Sequence, residues 1–262
     1  MHGVSKIIQI TDSHLFGDAD GTLLGINTRD SFNAVLELVK THSADADLIL
    51  VTGDISQDDS IASYAFCQRS LETLGIPFAW LYGNHDEPER LAQTPFAANF
   101  PQAIQLDNWQ LMLLHSQITG AIHGELVNGE LARLSAALAA DPDRPTLIVT
   151  HHHPLPVGSE WMDAINLRNG RHLLELLTTS PQVKLLIHGH THQAAEVREN
   201  GVTVQGTPST CVQFLPARPD FAADTRQPGY REIILQPDGS FSSQIYRLAP
   251  GTFLPDRSGT GY

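Results

Sequence analysis

Cysteine is nearly absent: Cys67 and Cys211 are the only two in 262 residues, far apart and outside any Cys-x-x-Cys spacing. That excludes a disulfide framework and a zinc–cysteine cluster, and both thiols read as small buried hydrophobes. Long apolar runs are missing too. No stretch approaches the roughly 20 residues of a membrane-spanning helix, and residues 1–6 lack the basic-then-apolar pattern of a secretory signal. The expectation is a cytoplasmic protein with no membrane partner. Positive charge is scarce, with 16 Lys and Arg against 29 Asp and Glu, a formal net charge of −13. Such a surface argues against a protein that grips long nucleic acid by neutralising phosphates. A small anionic substrate would need a local source of positive charge, which bound metal ions supply. Linkers and repeats are also lacking, so 262 residues with 41% hydrophobic content read as one domain over 1–262.

Histidine is what the chain has in quantity, 13 in all, and position makes them informative. The β-branched run Lys6–Thr11 ends at Asp12-Ser13-His14. Apolar residues at helical spacing over Thr28–His42 lead into a second strand, Leu48–Thr52, which ends in Gly53-Asp54. A helix near Ser60–Leu74 precedes the strand Phe78–Tyr82 and the turn Gly83-Asn84-His85-Asp86. A short helix is expected around Glu87–Asn99, then strands Ala103–Leu106 and Gln110–His115 and a helix Gly129–Ala140. The strand Thr146–Thr150 ends in His151-His152-His153, and, after a helix near Gly170–Thr179, Val183–Ile187 ends in His188-Gly189-His190-Thr191-His192. Four β segments close the chain, Gln193–Arg198, Val202–Gly206, Tyr230–Leu235 and Phe241–Arg247.

Open α/β sheets place ligand sites outside the carboxyl ends of their strands, so these polar groups are candidates for one site. Carboxylate, amide and imidazole suit Fe, Mn or Zn, and the absence of thiolate disfavours a soft-metal site. The number of donors suits two ions sharing one carboxylate. In His190-Thr191-His192, and likewise in Asp12-Ser13-His14, residues i and i+2 can address one site or two adjacent ones.

The order Asp12-x-His14, Gly53-Asp54, Gly83-Asn84-His85-Asp86, His151 in a histidine block and Gly189-His190-Thr191-His192 resembles the calcineurin-like metallophosphoesterase superfamily. Within it, the segments Gln9–Phe16, His151–Pro156, Leu167–Asn169 and Pro208–Phe214 are most similar to the bacterial 3′,5′-cyclic AMP phosphodiesterases, or class III cyclic nucleotide phosphodiesterases. The likeness spans nearly the whole chain. It implies an α/β fold, a four-layer αββα sandwich of two mixed sheets flanked by helices. It implies two divalent transition-metal ions, Fe or Mn ahead of Zn: Asp12, His14 and His192 hold the first, Asn84, His151 and His190 the second, and Asp54 bridges. It also implies hydrolysis of 3′,5′-cyclic AMP to 5′-AMP by a metal-bound hydroxide, with His85 protonating the leaving oxygen, and substrate contacts from His14, Asp54, Asn84, His85, His151 and His192. Residues 208–228 are expected as a substrate-side loop and 249–262 as a tail.

Alternatives stay open at this point. The same chemistry serves another small phosphodiester, a nucleotide pyrophosphate or a phosphomonoester, and a scaffold could keep the fold without catalysis. A homo-oligomer is neither required nor excluded. Asp86 reads either as a partner orienting His85 or as a cap on the helix that follows. His115 matches no ligand position, and relatives often carry aspartate there. His152, His153, Arg168, Asn169 and Cys211 read as packing or substrate-side residues, His188 as a hydrogen-bonded strand residue, and His2, His42, His123 and His172 have no supporting context.

Overall fold

A computed structural model describes residues 3–259; His2 and the last three residues of the tail lie outside them. Strands covered on both faces need apolar residues at successive positions, and Leu48–Thr52 is buried at all five. One face of the first sheet presents Ile7, Leu48, Leu50, Ala79, Leu81, Ile233 and Leu235, which pack on Trp109, Leu111, Leu113, Leu147, Val149, Leu185 and Ile187 of the second. The intervening residues point the other way, as the two-residue period of a strand demands. Ile8, Ile10, Ile49, Val51 and Trp80 meet Phe32, Val35, Leu36 and Val39 of helix Thr28–His42 and Tyr64, Cys67 and Leu71 of helix Ile61–Glu72. On the opposite outer face, Met112, Ile148, Leu186 and Val204 meet Leu131, Leu134 and Leu138 of helix Asn128–Ala140 and Leu173, Leu174 and Leu177 of helix Gly170–Leu177. Three apolar layers therefore separate four structural ones, helix, sheet, sheet, helix.

The first sheet runs Phe241–Arg247, Gly229–Leu235, Ser5–Ile10, Leu48–Thr52, Phe78–Leu81; the second runs Ala195–Glu199, Val202–Gly206, Val183–His188, Thr146–Val149, Gln110–Leu113, Ala103–Gln105. Both are mixed. Ser5–Ile10, Leu48–Thr52 and Phe78–Leu81 are mutually parallel neighbours, as are Val202–Gly206, Val183–His188, Thr146–Val149 and Gln110–Leu113. Helices Thr28–His42 and Ile61–Glu72 start at side-chain caps: Asn27 accepts from the Asp30 amide at 3.0 Å and Ser60 from the Ser63 amide at 3.2 Å.

Three local features differ from the sequence reading. The single helix expected over Glu87–Asn99 is two pieces, Pro88–Leu91 and a 3₁₀ turn Pro95–Asn99, because Pro95 has no amide to continue the first. Residues 208–228 contain a two-stranded ribbon, Gln213–Phe214 with Ala223–Asp224. A small hairpin, Thr22–Leu23 with Ile26–Asn27, turns through Leu24 and Gly25 at φ 46° and 77°; leucine there is not the usual signal for such a turn. The described part of the tail is anchored: the Asp256 amide donates to Leu24 O at 2.7 Å, and Phe253 packs on a satellite cluster around Met162, Val212 and Phe214.

The inter-sheet layer gives the first prediction. Leu147 is fully buried in it, and Leu147→Ala should destabilise the fold by about 2–5 kcal/mol, measured by urea denaturation. A cost below 1 kcal/mol would show that this layer is not close-packed.

Candidate metal centre

The chemistry-bearing residues follow directly on parallel strands: Asp12 after Ile10, Asp54 after Thr52, Asn84 after Leu81, His151 after Val149 and His190 after His188. The exits are zipped together by backbone bonds, Asp12 N to Gly53 O and His14 N to Asp54 O at 3.0 Å and Gly189 N to His151 O at 3.1 Å. Each chain must turn sharply inward there. Of the nine non-glycine residues at positive φ among the described residues, five are Asp12, His14, Asp54, His190 and His192, a conformation costing about 1–3 kcal/mol per residue and typical of functional sites. Gly53, at φ 102°, adds a close approach: a Cβ there would collide with the His151 ring.

The histidines are oriented by carbonyl groups. A carbonyl only accepts, so a ring nitrogen bonded to one must carry the proton, and in the neutral ring the other nitrogen then offers a lone pair. His151 Nδ1 donates to Thr52 O at 2.8 Å, His192 Nδ1 to Val212 O at 2.7 Å and His190 Nε2 to Ile165 O at 3.1 Å. His14 Nδ1 pairs with Gln57 Oε1 at 2.6 Å. What remains is a convergence of acceptors. His14 Nε2 lies 3.2 Å from His192 Nε2, which lies 3.4 Å from Asp12 Oδ1. His151 Nε2 lies 3.2 Å from Asn84 Oδ1 and 3.3 Å from Asp54 Oδ2.

Asp54 Oδ2 sits between the two groups, 3.8 Å from His14 Nε2 as well, and accepts no hydrogen bond; His190 Nδ1 is likewise buried without a partner. Lone pairs facing each other in a buried space are unfavourable unless a cation or proton lies between them. Within 4.8 Å of one another stand the donor atoms of Asp12, His14 and His192, of Asp12, Asp54 and His151, of His14, Asp54 and His85, and of His151, His152 and His190. The residues thus fit divalent ions of the N/O-preferring class.

The proton affinities follow the same geometry. Burial holds His14 down to about 3 and His190 well below the usual imidazole value. His151 goes the other way, to about 9: burial opposes its charge, but the Asp54 carboxylate outweighs burial. Burial would raise Asp12 and Asp54, yet His192 and His151 respectively hold them low.

All seven expected donors, Asp12, His14, Asp54, Asn84, His151, His190 and His192, are therefore gathered, and His85 stands beside them, its amide on Asp54 Oδ1 at 2.9 Å and its ring 4.9 Å from that of His14. His152 is close but spent: Nε2 donates to Ile122 O at 3.1 Å and Nδ1 meets Ser116 Oγ at 2.8 Å. His153 stacks on His190 at 5.6 Å and lies 3.5 Å from Asp163. His188 is buried at its strand end, Nδ1 bonded to Gly189 O at 2.9 Å. His115 packs on Tyr82 at 5.1 Å. Asn169 ties the backbone of Leu126, Cys211 is buried in the satellite cluster and Arg168 is exposed. His42 stacks on Tyr246, and His172 sits on the surface beside Glu175. Asp86 caps nothing; its carboxylate, which burial and then Asp54 push up to about 6, accepts from the Gly83 amide and the Tyr64 hydroxyl, both at 2.8 Å. Sequence reasoning missed Gln57; Phe214, whose ring stacks on His192 at 4.0 Å, is reached there only as the end of the block Pro208–Phe214.

The profile of the calcineurin-like phosphoesterase family matches residues 5–194, and the chain belongs to that family. Among curated relatives, the 3′,5′-cyclic adenosine monophosphate phosphodiesterase CpdA of Vibrio vulnificus is 44% identical over 260 residues, 98% of this chain and 95% of the relative. CpdA of Escherichia coli K12 is 42% identical, covering 98% and 94%, and a 3′,5′-cyclic-nucleotide phosphodiesterase of Nostoc is 37% identical, covering 93% and 92%. The fold is shared with a dimetal phosphatase from Danio rerio, TM-score 0.65 at 14% identity over 88% of this chain and 95% of that one. Among the described residues no helix is long and apolar enough to cross a membrane.

Acid sensitivity follows from the buried rings. Burial lowers His14 and His188 to about 3, and lowers His152, His153 and His190 as well, whereas in the unfolded chain all would titrate near 6.5. The unfolded state therefore binds more protons below pH 6.5, so their stabilisation is complete above 6.5 and is lost between 6.5 and about 3. Asp86, raised to about 6, gives a smaller opposite gain as it protonates. His151, raised to about 9, stabilises fully below 6.5 and loses this only as pH rises through 9. For chelator-treated protein the urea midpoint should fall steadily from pH 7 to 4.5; a flat or rising midpoint would contradict the burial of neutral rings.

Proposed function

We propose that the chain hydrolyses 3′,5′-cyclic AMP to 5′-AMP in the cytoplasm, using two divalent ions, iron or manganese, with Asp12, His14 and His192 on one, Asn84, His151 and His190 on the other, and Asp54 shared. The observation that carries the metal assignment is Asp54 Oδ2, buried, without a hydrogen bond and flanked by His14 and His151. The substrate assignment is supported by full-length likeness to phosphodiesterases of cyclic AMP. Free, buried Cys67 and Cys211 suit a reducing compartment. In the same reading residues 1–262 are one catalytic domain. Residues 208–228 border the substrate, as the contacts of Val212 and Phe214 with His192 suggest.

When bound, the ions supply neutralisation of the phosphoryl oxygens and a water made acidic enough to attack at neutral pH. The chain does the rest. His14, Asp54, Asn84, His151 and His192 would address the phosphate through the ions they hold between the strand exits, and the carbonyls of Thr52, Val212 and Ile165 hold the ring orientations. His85, at the half-buried rim, donates a proton to the departing ribose O3′ as the P–O3′ bond breaks, leaving the 5′ ester intact.

Chelation should abolish hydrolysis, with Mn or Fe restoring it and Ca failing to, because imidazole donors disfavour Ca. Full turnover in protein shown to be metal-free would overturn the mechanism. His85→Ala should keep both metals yet lower kcat on cyclic AMP by roughly 10²–10⁴-fold. Bis(p-nitrophenyl) phosphate, whose leaving group needs little protonation, should lose far less. Equal losses on the two substrates would remove the general-acid role, and loss of metal would place His85 among the ligands.

A further inference from the structure

The two loops that carry Asp54 and His85 are stitched together by a pair of carboxylates, only one of which faces the metal centre. Asp54 Oδ1 accepts the His85 amide at 2.9 Å. Asp86, fully buried, reaches back in the opposite direction: Oδ2 accepts from Gly83 N at 2.8 Å and Ile55 N at 3.4 Å, and Oδ1 from Tyr64 Oη at 2.8 Å and Ser56 N at 3.3 Å. Four donors on one buried carboxylate is a saturated arrangement, and charge-assisted bonds of this kind are the strong ones.

The two loops meet Asp86 differently. The Asp54 loop is zipped to the first strand's exit by His14 N to Asp54 O, Leu15 N to Ile55 O and Gln57 N to Leu15 O. Gly83–His85 belong to the turn that Asp86 itself closes, by Gly83 N to Asp86 Oδ2 and Asp86 N to Gly83 O. Loosening Asp86 therefore acts directly on the turn that carries His85. Resting on the general-acid reading of His85, we propose that Asp86 is a positioning residue for that proton transfer, setting where the His85 ring stands relative to the phosphate without touching substrate. Asp86→Asn is nearly isosteric but turns an acceptor oxygen into an NH₂ group facing amide donors, so the clamp opens on one side.

The test is a substrate split combined with a double-mutant cycle. Asp86→Asn should retain two metals per chain and lower kcat on cyclic AMP by up to about 10²-fold, the scale of an ångström-sized misplacement, with KM little changed and bis(p-nitrophenyl) phosphate turnover reduced far less. The double variant Asp86→Asn with His85→Ala should be no slower than His85→Ala alone, since the position of an absent ring has no effect. Tyr64→Phe, which withdraws one anchor of Asp86 and leaves the fold's volume intact, should shift the ratio of the two activities in the same direction by a smaller factor. Additive losses in the double variant, or an unchanged activity ratio in either single variant, would overturn the proposal. Failure of the general-acid reading shows separately, as equal losses on both substrates in His85→Ala by itself.

Discussion

Acceptor lone pairs crowded into a buried space are the constraint on which the rest of this structure depends. Carbonyls at Thr52, Val212 and Ile165 commit one nitrogen of His151, His192 and His190 to donation. The remaining nitrogens are thereby aimed at one another and at Asp12, Asp54 and Asn84. Nearly all these groups are buried. Left-handed backbone at five of them adds strain. Such an arrangement persists only on a rigid support, and the double sheet with its three apolar layers provides it: two packed sheets hold five strand exits in fixed register, so the cost of gathering the donors is met by the core.

The acidic composition bears on the same centre. A chain of net charge −13 has little positive field with which to gather a phosphodiester, and the groups that hold Asp54 low are the imidazoles of His151, His85 and His14. Positive charge at the centre has to come from bound ions. The Asp54 carboxylate, outweighing burial, raises the His151 ring to about 9, while burial holds His14 and His190 down. Ion binding must displace the His151 proton, so loading and pH are linked at this one residue.

Much of this was legible in the sequence, for a physical reason: strands buried on both faces write continuous apolar runs, and a polar residue abruptly ending such a run marks an exit. Helix Thr28–His42 and strands Leu48–Thr52, Val202–Gly206 and Phe241–Arg247 fall where periodicity puts them, and the seven donors sit at the exits. The illegible parts are those whose determinants lie elsewhere in the chain. The carbonyls that orient the rings belong to Thr52, Ile165 and Val212, and a carbonyl has no side-chain signature. The three histidines 151–153 look alike in sequence, yet Ser116 and Ile122, some thirty residues away, decide that His152 is a structural ring. Asp86 reads from its neighbours as a partner of His85 or a cap on the following helix; the partners that hold its carboxylate, Ile55, Ser56 and Tyr64, are long-range and have no local signal. Two-residue strands such as Leu23–Ile26's hairpin are too short for any period to register.

The central claim, that Asp54 joins two cation positions rather than completing one, is tested most directly by electron paramagnetic resonance of chelator-treated protein titrated with Mn²⁺. The account predicts saturation at two Mn²⁺ per chain and a spin-coupled pair spectrum that Asp54→Asn converts to isolated ions or to a single ion. Saturation at one Mn²⁺, or two ions with no magnetic coupling in the unmodified protein, would contradict it.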